Sequence, residues 1–358
     1  MKKINKIFVE SHVFDQGGQG TASYLRNLYS TKILQNQNFI FYFAANNTEK
    51  LRSIFGNKTN VRYIKYPTSN KFLRLLFLIP FYELKYRFNY AHFQYYMPPI
   101  NFCKTIVTIH DVLFMDYKQY FKKTYILKNF IFFGYSIKFA NKLLTVSEYS
   151  KEKIKKHFSI KKEIFVIPNS IKENEIILTK QTENYILFVS RIEKRKNHIN
   201  LCKAFLDSEI KNKCFLYIVG RKDEGSSDFF DYIKKLPIEE SNRIRILENV
   251  SDEELKILYS NAKLFVFPSY CEGFGIPPLE AVSYNISTIC AKNTGMLDFT
   301  FFGDRFFDAD NINSIKLKLE KYYGNTNGLM KIKEEMLKKY SLDNINLLFS
   351  EYLNKLFL

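Results

Sequence analysis

Two glutamates, Glu272 and Glu280, flank the segment Gly273-Phe274-Gly275-Ile276-Pro277-Pro278-Leu279 and are the residues of this 358-residue chain best equipped for chemistry. A carboxylate accepts hydrogen bonds from two neighbouring hydroxyls at once, the pattern that a sugar or a ribose presents. A hydrolase with paired carboxylates needs them on opposite sides of a scissile bond. Two glutamates of one loop-and-helix segment are better placed to grip a ligand. Pro277 or Pro278 is expected to open a helix, with Glu280 in or near its first turn. Its unpaired N–H groups and positive dipole end would then favour phosphate or hydroxyl-rich ligands at the backbone of Gly273, Phe274, Gly275 and Ile276. Locally an alternative stays open, in which Glu280 only caps its helix and Glu272 is solvated.

Three further stretches carry candidate groups. The run Arg191-Ile192-Glu193-Lys194-Arg195-Lys196 is strongly cationic. An arginine is a forked, permanently charged donor and a lysine a point charge, so Arg191 and Lys196 suit a departing diphosphate. His110-Asp111 ends an apolar run, where an imidazole can accept or donate a hydrogen bond at the mouth of a sheet; Asp111 would orient the loop or cap the turn from Val112 onward. Gly17, Gly18 and Gly20 form a glycine-rich turn able to cradle phosphate or let an acceptor touch main chain, although any tight turn needing positive φ would also place glycine there. No His, Cys, Asp or Glu set has metal-ligand spacing, so neither a metal nor a cofactor is expected.

These groups need elements that aim them. Short apolar runs at residues 7–10, 39–45, 61–66, 90–94, 105–109, 142–146 and 164–167 read as strands, with helical patterns at 21–34, 71–86, 118–139 and 148–158. The alternation restarts after Pro168-Asn169-Ser170, with strands at 185–190, 214–219, 243–247, 263–267 and 287–290 and helices at 198–206, 228–235, 252–261 and 277–284. Such alternation predicts an α/β chain of two doubly wound, Rossmann-like domains, residues 1–172 and 173–341, with an amphipathic helix at 342–358 packing back on the first. Ligands of such folds bind beyond the carboxyl ends of strands, and a cleft between domains is a favoured place. Every candidate stretch above follows a predicted strand.

Composition sets broad limits. A hydrophobic content of 46% with 25% charged residues is that of a folded chain. With 54 Lys and Arg against 36 Asp and Glu, the net charge of +18 favours anionic partners. Lys, Asn, Ile, Phe and Tyr are abundant together while Trp is absent, a joint bias that AT-rich coding would also produce. Five scattered cysteines without a CxxC pair point to a reducing cytosol. No stretch is apolar for long enough to span a bilayer and no signal peptide is evident, so a cytoplasmic protein, soluble or peripheral on the inner face of the membrane, is expected. Segments 71–81 and 120–138 mix Phe, Tyr and Leu with Lys and Arg; they suit docking on an anionic leaflet, or else are core helices with solvated lysines.

Taken together, the four sites resemble the family-4 retaining glycosyltransferases of GT-B fold. The family's Glu-x7-Glu pattern is Glu272 to Glu280 within Pro268-Ser269-x-x-Glu272-Gly273-Phe274-Gly275-x-Pro277-Pro278-Leu279-Glu280-Ala281, and its Arg-x4-Lys pair is Arg191 and Lys196. Gly17-Gly18 with Gly20, His110-Asp111, Thr145-Val146-Ser147 and Val166-Ile167-Pro168-Asn169 match further segments, so the likeness covers nearly the full length. One departure stands out: Asn293-Thr294-Gly295-Met296-Leu297-Asp298 occupies the place of a Gly-Gly-x-Pro-Glu segment. The resemblance implies metal-independent, retaining transfer of a hexosyl unit, mannose-like or glucose-like, from a nucleotide-diphosphate sugar to a glycan acceptor. In it Glu272 would hold sugar hydroxyls, Glu280 the ribose, and Arg191 and Lys196 the diphosphate, with His110 near the donor sugar. A lipid-linked acceptor in O-antigen, capsule or lipopolysaccharide synthesis is the expectation. The alternatives are a soluble acceptor, a catalytically silent relative, or a basic nucleic-acid-binding protein, for which no recognition motif is seen.

Overall fold

The computed structural model describes residues 4–16, 20–179, 183–223 and 225–357. Gly17 and Gly18 lie outside the described residues. Contacts divide the chain into two compact units: residues 1–170 with 342–358, and residues 171–341. The divide falls two residues ahead of the expected boundary, and the final helix, Leu342–Leu356, is counted with the first unit.

The first unit is a parallel sheet of seven strands: β1 Asn5–Glu10, β2 Phe39–Ala45, β3 Val61–Lys65, β4 Tyr90–Gln94, β5 Lys104–Thr108, β6 Lys142–Thr145 and β7 Ile164–Val166. Their order is β3-β2-β1-β4-β5-β6-β7. Strands covered on both faces read as nearly continuous apolar runs, which is why β4, with all five residues buried, shows no alternation. Phe8, Phe93, Val107, Ile137 and Leu143 belong to one buried cluster of this unit.

The second unit repeats the plan with β8 Tyr185–Val189, β9 Phe215–Val219, β10 Ile244–Leu247, β11 Leu264–Phe267, β12 Thr288–Ala291 and β13 Phe306–Phe307, in the order β10-β9-β8-β11-β12-β13. All its pairings are parallel. In each sheet the strand order reverses beside the first strand, between β1 and β4 and between β8 and β11. Reversal leaves the neighbouring connections running to opposite faces and opens a crevice at the carboxyl ends, the usual ligand position of this architecture.

Several expected helices differ in detail. The one at 21–34 is broken into Gly20–Leu28 and Thr31–Leu34, because Ser30 is extended and Tyr29 turns wholly inward to reach His92. The one at 118–139 starts as a 3-10 turn, Lys118–Tyr120, and is α-helical only over Lys123–Phe139. The stretch 71–86 is helical throughout but passes through a π-turn at Arg74–Leu78, a distortion often found at functional positions.

The two basic aromatic segments are divided: Ile79, Phe133 and Ile137 join the buried core, while other apolar residues face outward. Phe72, Phe77, Phe81, Leu84, Leu127 and Ile131 are each more than half exposed, and Lys85, Lys122, Lys123, Lys128 and Lys138 are exposed with them. Among the described residues no helix is long and apolar enough to cross a membrane.

Candidate functional site

The second unit gathers its chemistry at the reversal between β8 and β11. The loop after β8 carries Arg191–Asn197, and the loop after β11 carries Pro268–Gly275 before the helix Ile276–Ser283. Asn197 takes the left-handed conformation, φ 64°, and its Nδ2 donates to the carbonyls of Pro268 at 3.1 Å and Ala309 at 2.8 Å. One buried amide thus ties the ends of three strand connections together.

Lys196 and Glu272 meet at the centre, Nζ to Oε1 2.5 Å, with both side chains about nine-tenths buried. Arg195 completes the group: its NH1 lies 3.4 Å from Glu272 Oε2 and donates to the Cys271 carbonyl at 3.0 Å, and its NH2 pairs with Glu193 at 2.8 Å. The Arg195 carbonyl in turn accepts from the Tyr270 N–H at 2.9 Å. Burial alone would raise the Glu272 carboxyl, but Lys196 and Arg195 outweigh it and hold the group down at about 2. Burial draws Lys196 below the ordinary lysine range, against the pull of Glu272.

Glu280 lives under the opposite influence. Burial raises its carboxyl above the usual range, and the Tyr259 hydroxyl, donating to Oε2 at 3.3 Å, only partly offsets that. Two carboxylates of one segment are therefore driven apart in acidity, a mark of divided roles.

The loop between them is shaped by close backbone approach. Gly275 has φ 101°, and the helix starts at Ile276, so both prolines sit just inside it. Pro277 and Pro278 remove two N–H groups from the first turn, leaving the donors of Gly275 and Ile276 as those a ligand could meet. The variant segment at 293–298 braces this loop from behind. Thr294 Oγ1 accepts from the Glu272 N–H at 2.8 Å, and Gly295 N–H donates to the Glu272 carbonyl at 3.0 Å. A Cβ on Gly295 would lie 2.4 Å from the Gly273 oxygen, so only glycine fits there.

Not every expected partner joins the group. Arg191 is about half exposed, and its guanidinium is taken up by Asp223 at 2.6 Å and Glu193 at 3.4 Å. The cation beside Lys196 and Glu272 is Arg195, which the sequence displays in its Lys-Arg-Lys run without marking it. A cavity of about 510 Å³, lined by Leu247, Glu248, Asn249, Val250, Ile257 and Leu258 among others, lies at the carboxyl end of β10 against the helix Asp252–Asn261; nothing in the residue types signals it.

In the first unit His110 follows β5 and is buried, with the Tyr24 ring T-shaped to it and the Tyr95 ring tilted against it. Its Nε2 bonds to Gln94 Oε1 at 2.7 Å, which places the proton on Nε2 and leaves Nδ1 as an acceptor. Gln94 continues to His92 at 3.2 Å, and His92 to Tyr29 at 2.8 Å. Burial pushes both imidazoles down to about 3, so both are neutral at pH 7. Asp111 accepts from the Leu113 N–H at 3.2 Å, and Gly20 begins the helix Gly20–Leu28. Among the described residues no group of three or more His, Cys, Asp or Glu is placed to hold a metal ion.

Comparison with known proteins bears on the family and the fold. Residues 169–341 match the family model for glycosyl transferases group 1, and residues 33–175 that for Glycosyltransferase Family 4. The chain is 34% identical over 195 residues to the O-antigen chain mannosyltransferase RfbU of Salmonella typhimurium, covering 51% of this chain and 50% of that one. It is 28% identical over 249 residues to O-antigen chain mannosyltransferase B of Escherichia coli, covering 63% and 64%. The match thus spans between half and two thirds of those relatives' lengths. Among solved structures, sucrose-phosphate synthase from Thermosynechococcus elongatus superposes with a TM-score of 0.75 at 18% identity over 99% of both chains. Anabaena HepE in complex with UDP-glucose gives 0.73 at 15% identity, over 98% of this chain and 99% of that one. With two adjoining family models running from residue 33 to 341 and both sheets wound alike, the chain belongs with the family 4-like glycosyltransferases of GT-B fold.

Proposed function

We propose that the chain transfers a hexosyl unit from a nucleoside-diphosphate sugar to a glycan acceptor, with retention at the anomeric carbon, in the synthesis of a surface polysaccharide. The buried Lys196–Glu272–Arg195 group at the β8/β11 reversal carries this reading. Two cations, each paired with a carboxylate, and the N–H donors of Gly275 and Ile276 form a partly dehydrated setting of fixed charges and dipoles in which a leaving diphosphate gains most from electrostatic stabilisation. The bond from the anomeric carbon to the phosphate oxygen breaks, the acceptor oxygen takes its place, and the acceptor proton leaves with the departing phosphate. Glu272, held ionised, accepts hydrogen bonds from sugar hydroxyls, and Glu280 takes the ribose hydroxyls. The cavity beside the helix Asp252–Asn261 is of a size to take the base. The cations on this chain do the work that a metal would otherwise do.

The sugar is mannose-like or glucose-like, with the similarity to O-antigen mannosyltransferases supporting the first. The exposed apolar and lysine-rich helices of the first unit support docking on the anionic inner leaflet, next to a lipid-linked acceptor. A thermal-shift series with UDP-, GDP- and dTDP-sugars tests the donor, since a native-state ligand raises the midpoint. One of them is expected to do so, and Lys196→Ala or Glu280→Ala to abolish both the shift and transfer. If no nucleotide sugar shifted the midpoint and neither variant altered transfer, the proposal would fall.

A further inference from the structure

Every cation of the run after β8 has a carboxylate beside it. Arg191 pairs with Asp223 at 2.6 Å, Lys194 with Asp228 at 3.1 Å, Arg195 with Glu193 at 2.8 Å and Lys196 with Glu272 at 2.5 Å. Glu272 is the least exposed of the four carboxylates, at 12% against 17%, 31% and 57% for Glu193, Asp223 and Asp228, so water and salt screen its charge least. Its carboxyl, held at about 2, is ionised at neutral pH. Among the described residues it is the one hydrogen-bond acceptor of the Lys196 ammonium. Thr294 fixes the Glu272 N–H and Gly295 its carbonyl, so only side-chain torsions can carry the carboxylate away.

A site built this way treats two ligands differently. A phosphate oxygen that accepts from Lys196 Nζ lies within about 5.5 Å of the position of Glu272 Oε1. Two like charges so close, with little water between them, repel. Swinging the carboxylate aside does not remove the cost, because it leaves a buried charge with only Arg195, at 3.4 Å, to hold it. A sugar joined to the diphosphate changes both terms. Its hydroxyls donate to Glu272, spread the charge and replace the bond that Lys196 gives up. A free diphosphate brings no such donors.

We propose that the Glu272 carboxylate makes this site select a nucleoside diphosphate that bears a sugar over the free nucleoside diphosphate, so that loss of the sugar by transfer itself weakens the hold on the product. The proposal rests on the reading of the Lys196–Glu272 group as a nucleotide-sugar site, and it gives Glu272 a second task. Besides receiving the sugar, Glu272 expels what the sugar leaves behind. Lys196 is the group through which it acts, since one ammonium serves the carboxylate and the phosphate in turn.

Calorimetric titration of the full chain tests this on wild type, Glu272→Gln and Glu272→Asp, with inorganic pyrophosphate, with UDP, GDP and dTDP, and with a hexose-bearing form of each. Wild type is expected to bind one nucleotide sugar about tenfold or more tightly than the matching nucleoside diphosphate. Glu272→Gln keeps the size of the side chain and a carbonyl oxygen for Lys196 but removes the charge. It should bind pyrophosphate and that diphosphate about tenfold more tightly than wild type, and lose the preference for the sugar form. Glu272→Asp keeps the charge and should bind pyrophosphate as weakly as wild type. A glutamate that only braced the loop would instead weaken every ligand in both variants. If folded Glu272→Gln bound pyrophosphate no more tightly than wild type, or wild type held the free diphosphate as tightly as the nucleotide sugar, the proposal would be wrong, while binding of any nucleotide sugar would leave the donor reading standing. If no nucleotide sugar bound wild type, the donor reading would fail and take the proposal with it.

Discussion

Replacing Arg195 by alanine should damage the chain far more than replacing Arg191, although the family pattern marks Arg191. Arg195 is 13% exposed and bonds to Glu193 at 2.8 Å and to the Cys271 carbonyl at 3.0 Å, with a looser approach to Glu272 at 3.4 Å. Hydrogen bonds to or from charged groups contribute roughly 1.5–3 kcal/mol each. The contact at 3.4 Å adds little; after truncation Lys196 still holds Glu272, and Glu193 keeps only Arg191 at 3.4 Å. A loss of about 3–6 kcal/mol is expected from the two bonds, which for a unit of this size lowers the melting midpoint by about 6–24 °C. Arg191 is 48% exposed and its partner Asp223 31%, so solvent screens that pair to about 0–1 kcal/mol. Calorimetry of the two variants, alongside wild type, reads the difference directly. Arg195→Ala should also move the acid limb of stability to higher pH, because Glu272 loses one of the two cations that depress it. Equal midpoint losses for the two variants, or an unmoved acid limb, would refute the reasoning.

Glu272 has a folded value of about 2 against its ordinary 4.5, so its contribution is complete above about 4.5 and is lost as pH falls towards 2. Glu272→Gln should flatten the acid unfolding curve in that window. Gly295→Ala would force a Cβ against the Gly273 backbone; overpacking there should cost about 1–3 kcal/mol and weaken the donor shift, both read in one melting series. Phe77→Ser, at a 63% exposed position, should leave stability within about 0.5 kcal/mol yet reduce cosedimentation with anionic liposomes at low salt. Wild-type protein that ignored such liposomes would remove the membrane part of the proposal.

Most strands are legible to within a residue or two, because a strand covered on both faces leaves an uninterrupted apolar run. β2 and β4 are found where the run begins and ends. β13, two residues at the sheet edge, is too short to leave a pattern, and the helices Thr48–Phe55, Ile312–Tyr322 and Leu329–Tyr340 are missing from the helical patterns read in the sequence. The break at Ser30 is invisible there because its cause is remote: Tyr29 is drawn to His92, sixty-three positions away in the chain.

By itself the sequence determined the α/β alternation, the two-unit plan and the loops that bear chemistry, since each loop directly follows its strand and local order is enough to place it. Tertiary structure alone decided which side chains of those loops meet. Arg191 and Arg195 lie in the same cationic run, but the 3-10 turn Lys194–Lys196 and left-handed Asn197 swing Arg195 and Lys196 onto Glu272 and leave Arg191 to Asp223. The buried pair of Arg74 with Glu10 likewise joins a π-turn to the end of β1, and only the winding of the chain brings the two together. Spacing along the chain fixes neighbours in a loop or helix, whereas contacts between loops depend on strand order, which no local pattern encodes.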